Sequence, residues 1–311
     1  MQKGLPREIL NMIPMTIMKE FKETGIAKML LEEQIYELRF RIGKPIGIRC
    51  ENGMVHSKMN IAREQLYELF QNISRYSIYA YEEDICNGYI TMKGGHRVGV
   101  AGKVIMKNGM IQGYKQIYSL NVRIATEVKG CCECVLPFLY TDYYVGKIKK
   151  TIIYNTLIVS PPGCGKTTLL RDIIRAFSNM GHICVGVVDE RGELAAGNQG
   201  IIANDLGDNA DVMEGCSKAE GVEILIRTMN PDVIVMDEIG KYEDFGAMCR
   251  GQASGCSSIA TVHGKSLKDL KMKEMYKPLF LEVNVERFVL LDGKHMICMN
   301  EKEEIIWEGN R

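Results

Sequence analysis

Residues 157–168 read Leu157-Ile158-Val159-Ser160-Pro161-Pro162-Gly163-Cys164-Gly165-Lys166-Thr167-Thr168. A short apolar run leads into a loop of small residues and a Lys-Thr-Thr triplet. Beyond it Leu169, Leu170, Ile173, Ile174 and Phe177 fall on one face of an amphipathic helix. Strand, glycine-containing loop and helix, in that order, form the setting in which main-chain N–H groups turn inward around phosphate oxygens. The positive end of the helix adds to the attraction. Pro162, Gly163, Cys164, Gly165, Lys166, Thr167 and Thr168 are therefore the expected nucleotide-binding residues. Lys166 is expected to reach the β- and γ-phosphates, and the Thr167 hydroxyl to hold Mg²⁺. Ser160 departs from the usual pattern, which has glycine there; Gly163 and Gly165 are expected nearer the phosphates.

Three further stretches place polar residues at the ends of apolar runs. Val233-Ile234-Val235-Met236 reads as a buried strand that ends in Asp237-Glu238. Behind a phosphate loop, Asp237 is expected to hold Mg²⁺ through water and Glu238 to polarise the attacking water as base. Asp189-Glu190-Arg191-Gly192-Glu193 follows the run Cys184 to Val188. Glu190 is a candidate third acid at the phosphate edge; a surface turn with an internal Glu–Arg pair is the alternative. Thr261-Val262-His263-Gly264 closes another run, and His263 is a candidate donor to the γ-phosphate. Ligands of parallel sheets sit at the carboxyl ends of the strands, where all four stretches fall.

The pattern on either side differs. Residues 7–38 hold two helix-like stretches, the second with Ile26, Leu30, Leu31, Ile35 and Leu38 at helical spacing. Ile46 to Arg49 reads as extended, Glu51-Asn52-Gly53 as a turn, and Ile61, Leu66, Leu69, Phe70 and Ile73 as a helix. Residues 88–125 alternate short apolar runs with glycine, which is hairpin chemistry. A polar, basic stretch near residues 140–151 suggests a boundary. We therefore expect a small α+β domain over 1–145 and an α/β domain over 146–311, its parallel sheet covered on both faces. Phe288 to Leu291, Met296 to Met299 and Ile305 to Trp307 read as a terminal β-meander.

The chain has 311 residues, 46% apolar and 25% charged, with Lys+Arg and Asp+Glu equal at 39 each. That composition is globular, and zero net charge argues against a protein that coats nucleic acid over its whole surface. Eleven cysteines without a regular framework read as free thiols in a reducing compartment. Cys131-Cys132-Glu133-Cys134 is poorly arranged for one tetrahedral ion, since adjacent cysteines make poor partners and no matched second cluster is visible. No signal peptide is read in residues 1–10, and no apolar run approaches the roughly 18 residues of a membrane span. The expected setting is cytosolic, with any docking on a membrane through a partner.

The four stretches, in this order, resemble the secretion-type ATPases, the traffic ATPases of type II and type IV secretion and of pilus retraction. That group carries a phosphate loop, an acidic box, a second nucleotide motif ending in Glu, and a histidine box. Arg227, before Pro231-Asp232, also suits its Arg-x-x-x-Pro-Asp pattern. Asp237 stands where pilus-type members often carry glycine, which is closer to the wider RecA-like pattern. Several further segments resemble the stage III sporulation protein AA family. They are residues 76–83, Gly94-Gly95-His96-Arg97-Val98-Gly99, Leu169-Leu170-Arg171-Asp172, Val188 to Glu193, Lys218-Ala219-Glu220-Gly221 and Asp237-Glu238-Ile239-Gly240. The resemblance covers about residues 30–290. It implies a RecA-like P-loop NTPase core with a smaller N-terminal α+β domain, and ATP and Mg²⁺ as substrate and cofactor. It also implies a homo-oligomer, in the form of a hexameric ring. It places the protein in the cytoplasm, peripheral to the forespore membranes on the mother-cell side. There it would energise the membrane channel components of a secretion-like complex during endospore formation. Residues 197–217 keep no assigned role.

In-line attack on the γ-phosphate develops charge that an arginine from a neighbouring subunit commonly neutralises. Arg97 and Arg123 are the candidates, because secretion ATPases use arginines of the amino-terminal domain. A different class, an ATP-dependent RNA- or DNA-binding protein, would use Lys93, His96, Arg97 and Lys103 of the glycine-rich hairpins; few aromatics stand near them. A nucleotide-gated scaffold that scarcely hydrolyses ATP is the third alternative.

Overall fold

The computed structural model describes residues 4–74, 86, 88–92, 94–107, 109–125, 128–197 and 202–311. Contacts divide the chain into two compact units, Met1–Glu127 with Ala196–Ala203, and Val128–Ala195 with Asn204–Arg311.

The first unit is α+β. Helices α1 (Arg7–Leu10), α2 (Met15–Glu23), α3 (Ile26–Glu32) and α4 (Arg63–Ile73) accompany six strands. These are β1 (Ile35–Arg41), β2 (Pro45–Cys50), β3 (Gly53–Asn60), β4 (Tyr89–Thr91), β5 (Arg97–Lys107) and β6 (Met110–Arg123), in the order β3-β2-β1-β6-β5-β4. Every neighbouring pair is antiparallel. Ile9, Ile17, Phe21 and Leu30 from the helices pack with Leu38, Phe40, Ile48, Val98 and Val122 of the sheet in one buried core.

Here the sequence misleads at one place. The helical spacing from Ile26 to Leu38 ends at Glu32, and Ile35 and Leu38 lie in β1. A register shift between Ile35 and Glu37 inserts an extra residue into that strand. Two residues three apart are thereby both buried, and the bulge imitates a helical period. The segment 76–83 and Lys93 lie outside the described residues. His96 is 3% exposed; its Nδ1 accepts from the Ala125 amide at 3.0 Å, and Glu8 lies beside its Nε2. It is a packed hairpin residue, which removes it from the nucleic-acid contact set expected above.

The second unit carries one eight-stranded sheet, in the order β11-β10-β12-β13-β9-β14-β15-β16. Its strands are β9 (Thr156–Ser160), β10 (Val185–Asp189), β11 (Ala210–Glu214), β12 (Val233–Met236), β13 (Ser257–His263), β14 (Arg287–Asp292), β15 (His295–Asn300) and β16 (Ile305–Asn310). Pairing is parallel from β11 to β14 and antiparallel through β15 and β16. The terminal meander is thus an extension of the parallel sheet, with β14 directly beside β9. Helix α5 (Lys166–Ser178) covers one face: Leu169, Ile173 and Phe177 pack with Ile158, Val187, Val235 and Ile259. Helices α6 (Lys218–Met229), α7 (Tyr242–Ala253), α8 (Leu267–Lys271) and α9 (Lys277–Glu282) cover the other. There Val222, Phe245, Met248 and Leu279 meet Leu157, Val159, Ile234 and Met236. Adjacent strand residues go to opposite covered faces, so the strands read as continuous apolar runs rather than alternating ones.

A hairpin, β7 (Tyr140–Val145) with β8 (Ile148–Ile153), precedes β9. The sequence reading puts the boundary at 145/146, inside the turn of this hairpin; the contacts divide at 127/128. Leu139 and Ile153 are buried among Ile158 and Phe177, so the hairpin is packed with the sheet that follows it. Residues 210–214, left unassigned in the sequence, form the edge strand β11. Asp211 and Glu214 break its apolar pattern, as suits an edge.

Candidate nucleotide site

Register brings the four chemically marked stretches to one sheet edge. Ser160 at the end of β9 lies opposite His263 at the end of β13, and Met236 of β12 lies between Val188 of β10 and Ala260 of β13. The residues that follow these positions form the site.

The loop 160–166 turns through two left-handed glycines, Gly163 (φ +78°) and Gly165 (φ +81°). A Cβ added at Gly163 would meet nothing within 4 Å, so its side of the loop is open. Lys166 begins α5 and is 7% exposed. Its ammonium has His263 Nε2 at 3.5 Å, and among the described residues it is in no ion pair with a carboxylate. A buried ammonium without a counter-charge is costly, and a bound anion removes the cost.

Thr167 donates to Asp237 Oδ2 at 2.7 Å. The other carboxylate oxygen, Oδ1, accepts from the hydroxyl of Thr261, which in turn accepts from the Glu238 amide at 2.8 Å. The hydroxyl of Thr167 at the start of α5 and the carboxylate of Asp237 after β12 are hard oxygen donors, the type Mg²⁺ selects. The residues present fit that ion.

Glu238 has φ +53°, a left-handed conformation that costs a non-glycine residue about 1 kcal/mol or more. Three contacts hold it there. Its amide bonds Thr261, its Oε2 is 2.5 Å from Arg191 Nη1, and its Oε1 is 2.9 Å from His263 Nε2. The second ring nitrogen of His263, Nδ1, is buried without a partner among the described residues.

In the acidic stretch Asp189, Glu190 and Arg191 have separate contacts. Asp189, 2% exposed, accepts from the amides of Glu193 (2.9 Å), Leu194 (2.8 Å) and Ala195 (2.9 Å). Its carboxylate is used in folding the loop. Glu190 pairs with Lys218, which is 5% exposed, and this contact holds its carboxyl below the usual carboxylate range. Arg191 Nη1 reaches across to Glu238 Oε2. Asp189, Glu190, Arg191, Glu193, Lys218, Asp237 and Glu238 line one small pocket.

Pro162, Gly163, Cys164, Gly165, Lys166, Thr167, Thr168, Glu190, Asp237, Glu238 and His263 therefore all lie in or beside one edge of the second unit. Arg97 and Arg123 belong to the first unit. They stand directly opposite each other across β5 and β6, with Arg97 4.8 Å over the Tyr89 ring and Glu37 opposite Arg123 on β1. Thr261, Arg191 and Lys218 enter the site without having been assigned a part in the sequence. Thr261 carried a usable signal: two residues before His263 on the same strand, it shares that residue's face.

The cysteines of residues 131–134 serve packing. Cys131 and Cys132 are buried, and the Cys132 amide donates to Asp172 Oδ2 at 2.9 Å. Burial pushes the Cys131 thiol up to about 11.

A parallel sheet with this loop before α5 and paired acids after β12 is the fold of the RecA-like P-loop secretion ATPases. Two solved structures share the fold. One is the ATPase DotB of Legionella pneumophila (TM-score 0.57, 13% identity, covering 94% of this chain and 79% of that one). The other is the pilus retraction motor PilT with bound ADP (TM-score 0.56, 14% identity, covering 91% and 80%). The chain itself belongs to the family of sporulation stage III protein AA, whose model matches residues 5–299. It is 37% identical over 288 residues to stage III sporulation protein AA of Bacillus subtilis, covering 91% of this chain and 90% of that protein. The protein ycf45 of Cyanidium caldarium is 29% identical over 161 residues, half of this chain and 44% of that protein. Among the described residues no helix is long and apolar enough to cross a membrane.

Proposed function

We propose that the protein binds and hydrolyses Mg-ATP and works as a ring-forming motor in spore formation. The observation that carries this reading is Lys166: a buried ammonium that among the described residues has no carboxylate partner, beside an open glycine loop and 3.5 Å from His263, which itself contacts Glu238. Such a charge is best satisfied by phosphate oxygens.

When bound, Mg²⁺ would neutralise charge on the phosphates, and Thr167 and Asp237 would hold it. The main-chain amides of 163–168 would cradle the phosphates, and Lys166 would span the β- and γ-groups. Glu238 would accept the proton of the attacking water, and His263 Nε2, 2.9 Å from that carboxylate, would hold it in the nucleotide-free protein and turn its N–H towards the γ-phosphate once nucleotide is bound. Glu190, tied to Lys218, supports the wall of the same pocket. An arginine of a neighbouring copy, Arg97 or Arg123, would complete the charge balance, which makes a homo-oligomer, in the form of a hexameric ring, necessary for turnover. The family relationship supports a place beside the forespore membranes, on the cytoplasmic side of the mother cell. There hydrolysis would drive membrane channel components of a secretion-like complex.

The test is Mg-ATP hydrolysis by the purified chain, with Glu238→Gln as comparison. Turnover falls by about 10²–10⁴-fold in the variant, the range of one general base, while nucleotide binding survives. Equal, residual hydrolysis in both would instead mean a nucleotide-gated scaffold.

A further inference from the structure

We infer that Arg311 is a positioning residue of the phosphate loop: its guanidinium fixes the orientation of the two peptide groups that deliver the Gly165 and Lys166 amides to phosphate. This rests on the reading of residues 160–168 as a phosphate cradle and adds to it a residue outside the motif.

Topology brings Arg311 there. β14 runs parallel beside β9, β15 returns, and β16 runs parallel to β14 again, so the end of β16 lies at the same sheet edge as the loop. The Arg311 amide donates to Lys294 O at 2.9 Å and anchors the residue on the turn between β14 and β15. Its side chain then reaches the loop. Nη2 donates to Cys164 O at 3.1 Å and Nη1 to Gly165 O at 3.3 Å.

A trans peptide is planar, with its C=O and the following N–H pointing in opposite directions. Drawing Cys164 O towards Arg311 turns the Gly165 N–H to the opposite side. Drawing Gly165 O the same way turns the Lys166 N–H likewise. Those N–H groups are the ones a phosphate needs. Gly165 O has a second lone pair and also accepts from the Leu169 amide at 3.0 Å, so the clamp and the first turn of α5 share one carbonyl. Gly165 is constrained twice. Its φ is +81°, and a Cβ there would come within 2.4 Å of Arg311 Nη2. The glycine leaves the space that the guanidinium fills.

Two parallel donors on a planar fork can hold two successive carbonyls; an ammonium on a flexible stem cannot hold both in a fixed geometry. That separates geometry from charge. Arg311→Ala and Arg311→Lys are compared with the parent in two measurements. The first is hydrogen–deuterium exchange of the nucleotide-free protein. In both variants the 160–168 segment exchanges faster, about tenfold in Arg311→Ala, while the 305–310 segment of β16 stays protected. The second is calorimetric binding of inorganic tripolyphosphate. Its Kd rises about tenfold in Arg311→Ala, with Arg311→Lys between that and the parent, as expected for loss of charge-assisted contacts of about 1.4 kcal/mol.

Unchanged exchange in 160–168, or loss of protection in β16 to the same degree, overturns the inference; so does an Arg311→Lys variant equal to the parent in both measurements. If the parent chain gives no heat with tripolyphosphate, the phosphate-cradle reading itself fails. The exchange comparison still decides whether Arg311 orders the loop.

Discussion

Arg191 Nη1 lies 2.5 Å from Glu238 Oε2, across the gap between the ends of β10 and β12. With His263 on its other oxygen, the acid is gripped from two sides in a backbone conformation it would not adopt freely. Arg191 is 64% exposed, so the pair contributes little to global stability and acts on where Glu238 points. Arg191→Ala is expected to lower kcat about tenfold with nucleotide Kd within about twofold, and Arg191→Lys to recover part of the loss. Steady-state hydrolysis beside equilibrium nucleotide binding checks this. An Arg191→Ala enzyme with parental kcat counts against a positioning role.

Lys166→Met separates folding from function. The nonpolar stem is kept and a buried charge is removed, so the nucleotide-free melting temperature should stay level or rise. Mg-ATP affinity should fall roughly 100-fold, the loss for one charge-assisted contact of about 3 kcal/mol. Thermal unfolding with and without nucleotide measures both effects. A variant that melts earlier without nucleotide contradicts the picture of an uncompensated ammonium.

Thr261 links the two acids, donating to Asp237 and accepting from the Glu238 amide. Thr261→Val keeps the shape and deletes the hydroxyl. It should lower kcat about tenfold or more, since each lost hydrogen bond is worth about 1 kcal/mol and two are lost. Thr261→Ser should recover most of it, and failure of the serine variant would point to the methyl group instead.

Asp172 illustrates a pH dependence with a definite sign. Burial works to raise its pKa, but the Cys132 and Gly130 amides and Arg175 more than offset this and hold it below the usual carboxylate range. A depressed folded-state value contributes stability that is complete above the ordinary carboxylate range and is lost as pH falls through the folded-state value. Asp172→Asn should therefore flatten the acid limb of the stability curve, and Asp172→Ala should cost about 2–4 kcal/mol at neutral pH. Chemical denaturation at stepped pH tests it; an unchanged acid limb in the asparagine variant would remove the assignment.

The trans arginine is tested by mixing. Lys166→Ala and Arg97→Ala subunits are each expected to be inactive alone, whereas rings of the proposed kind mixed from both would contain interfaces with an intact loop and an intact arginine. Partial recovery of hydrolysis at intermediate ratios is the expected result, and the same experiment with Arg123→Ala distinguishes the two residues. No recovery at any ratio excludes action across subunits.

Much of this molecule is legible in its sequence. The loop 160–168 is a local device: small residues, a lysine and a helix start suffice to define it, and neighbours in sequence are neighbours in space. The doubly covered strands announce themselves as unbroken apolar runs, as at Val233 to Met236. The pattern fails where a local irregularity imitates another period, as in the bulge of β1, or where a strand lies at an edge and needs no apolar run, as in β11.

What sequence alone determined was the chemistry available: a glycine-containing turn ending in lysine, two carboxylates after a buried strand, a histidine at another strand end. These follow from residue type and spacing over a few positions. Only the tertiary structure decided the pairing. Arg191 reaches Glu238, Thr261 joins the two acids, and Arg311 reaches back 147 positions to the loop 160–168. Such contacts depend on strand order and register, which place distant segments side by side, and no local spacing encodes them.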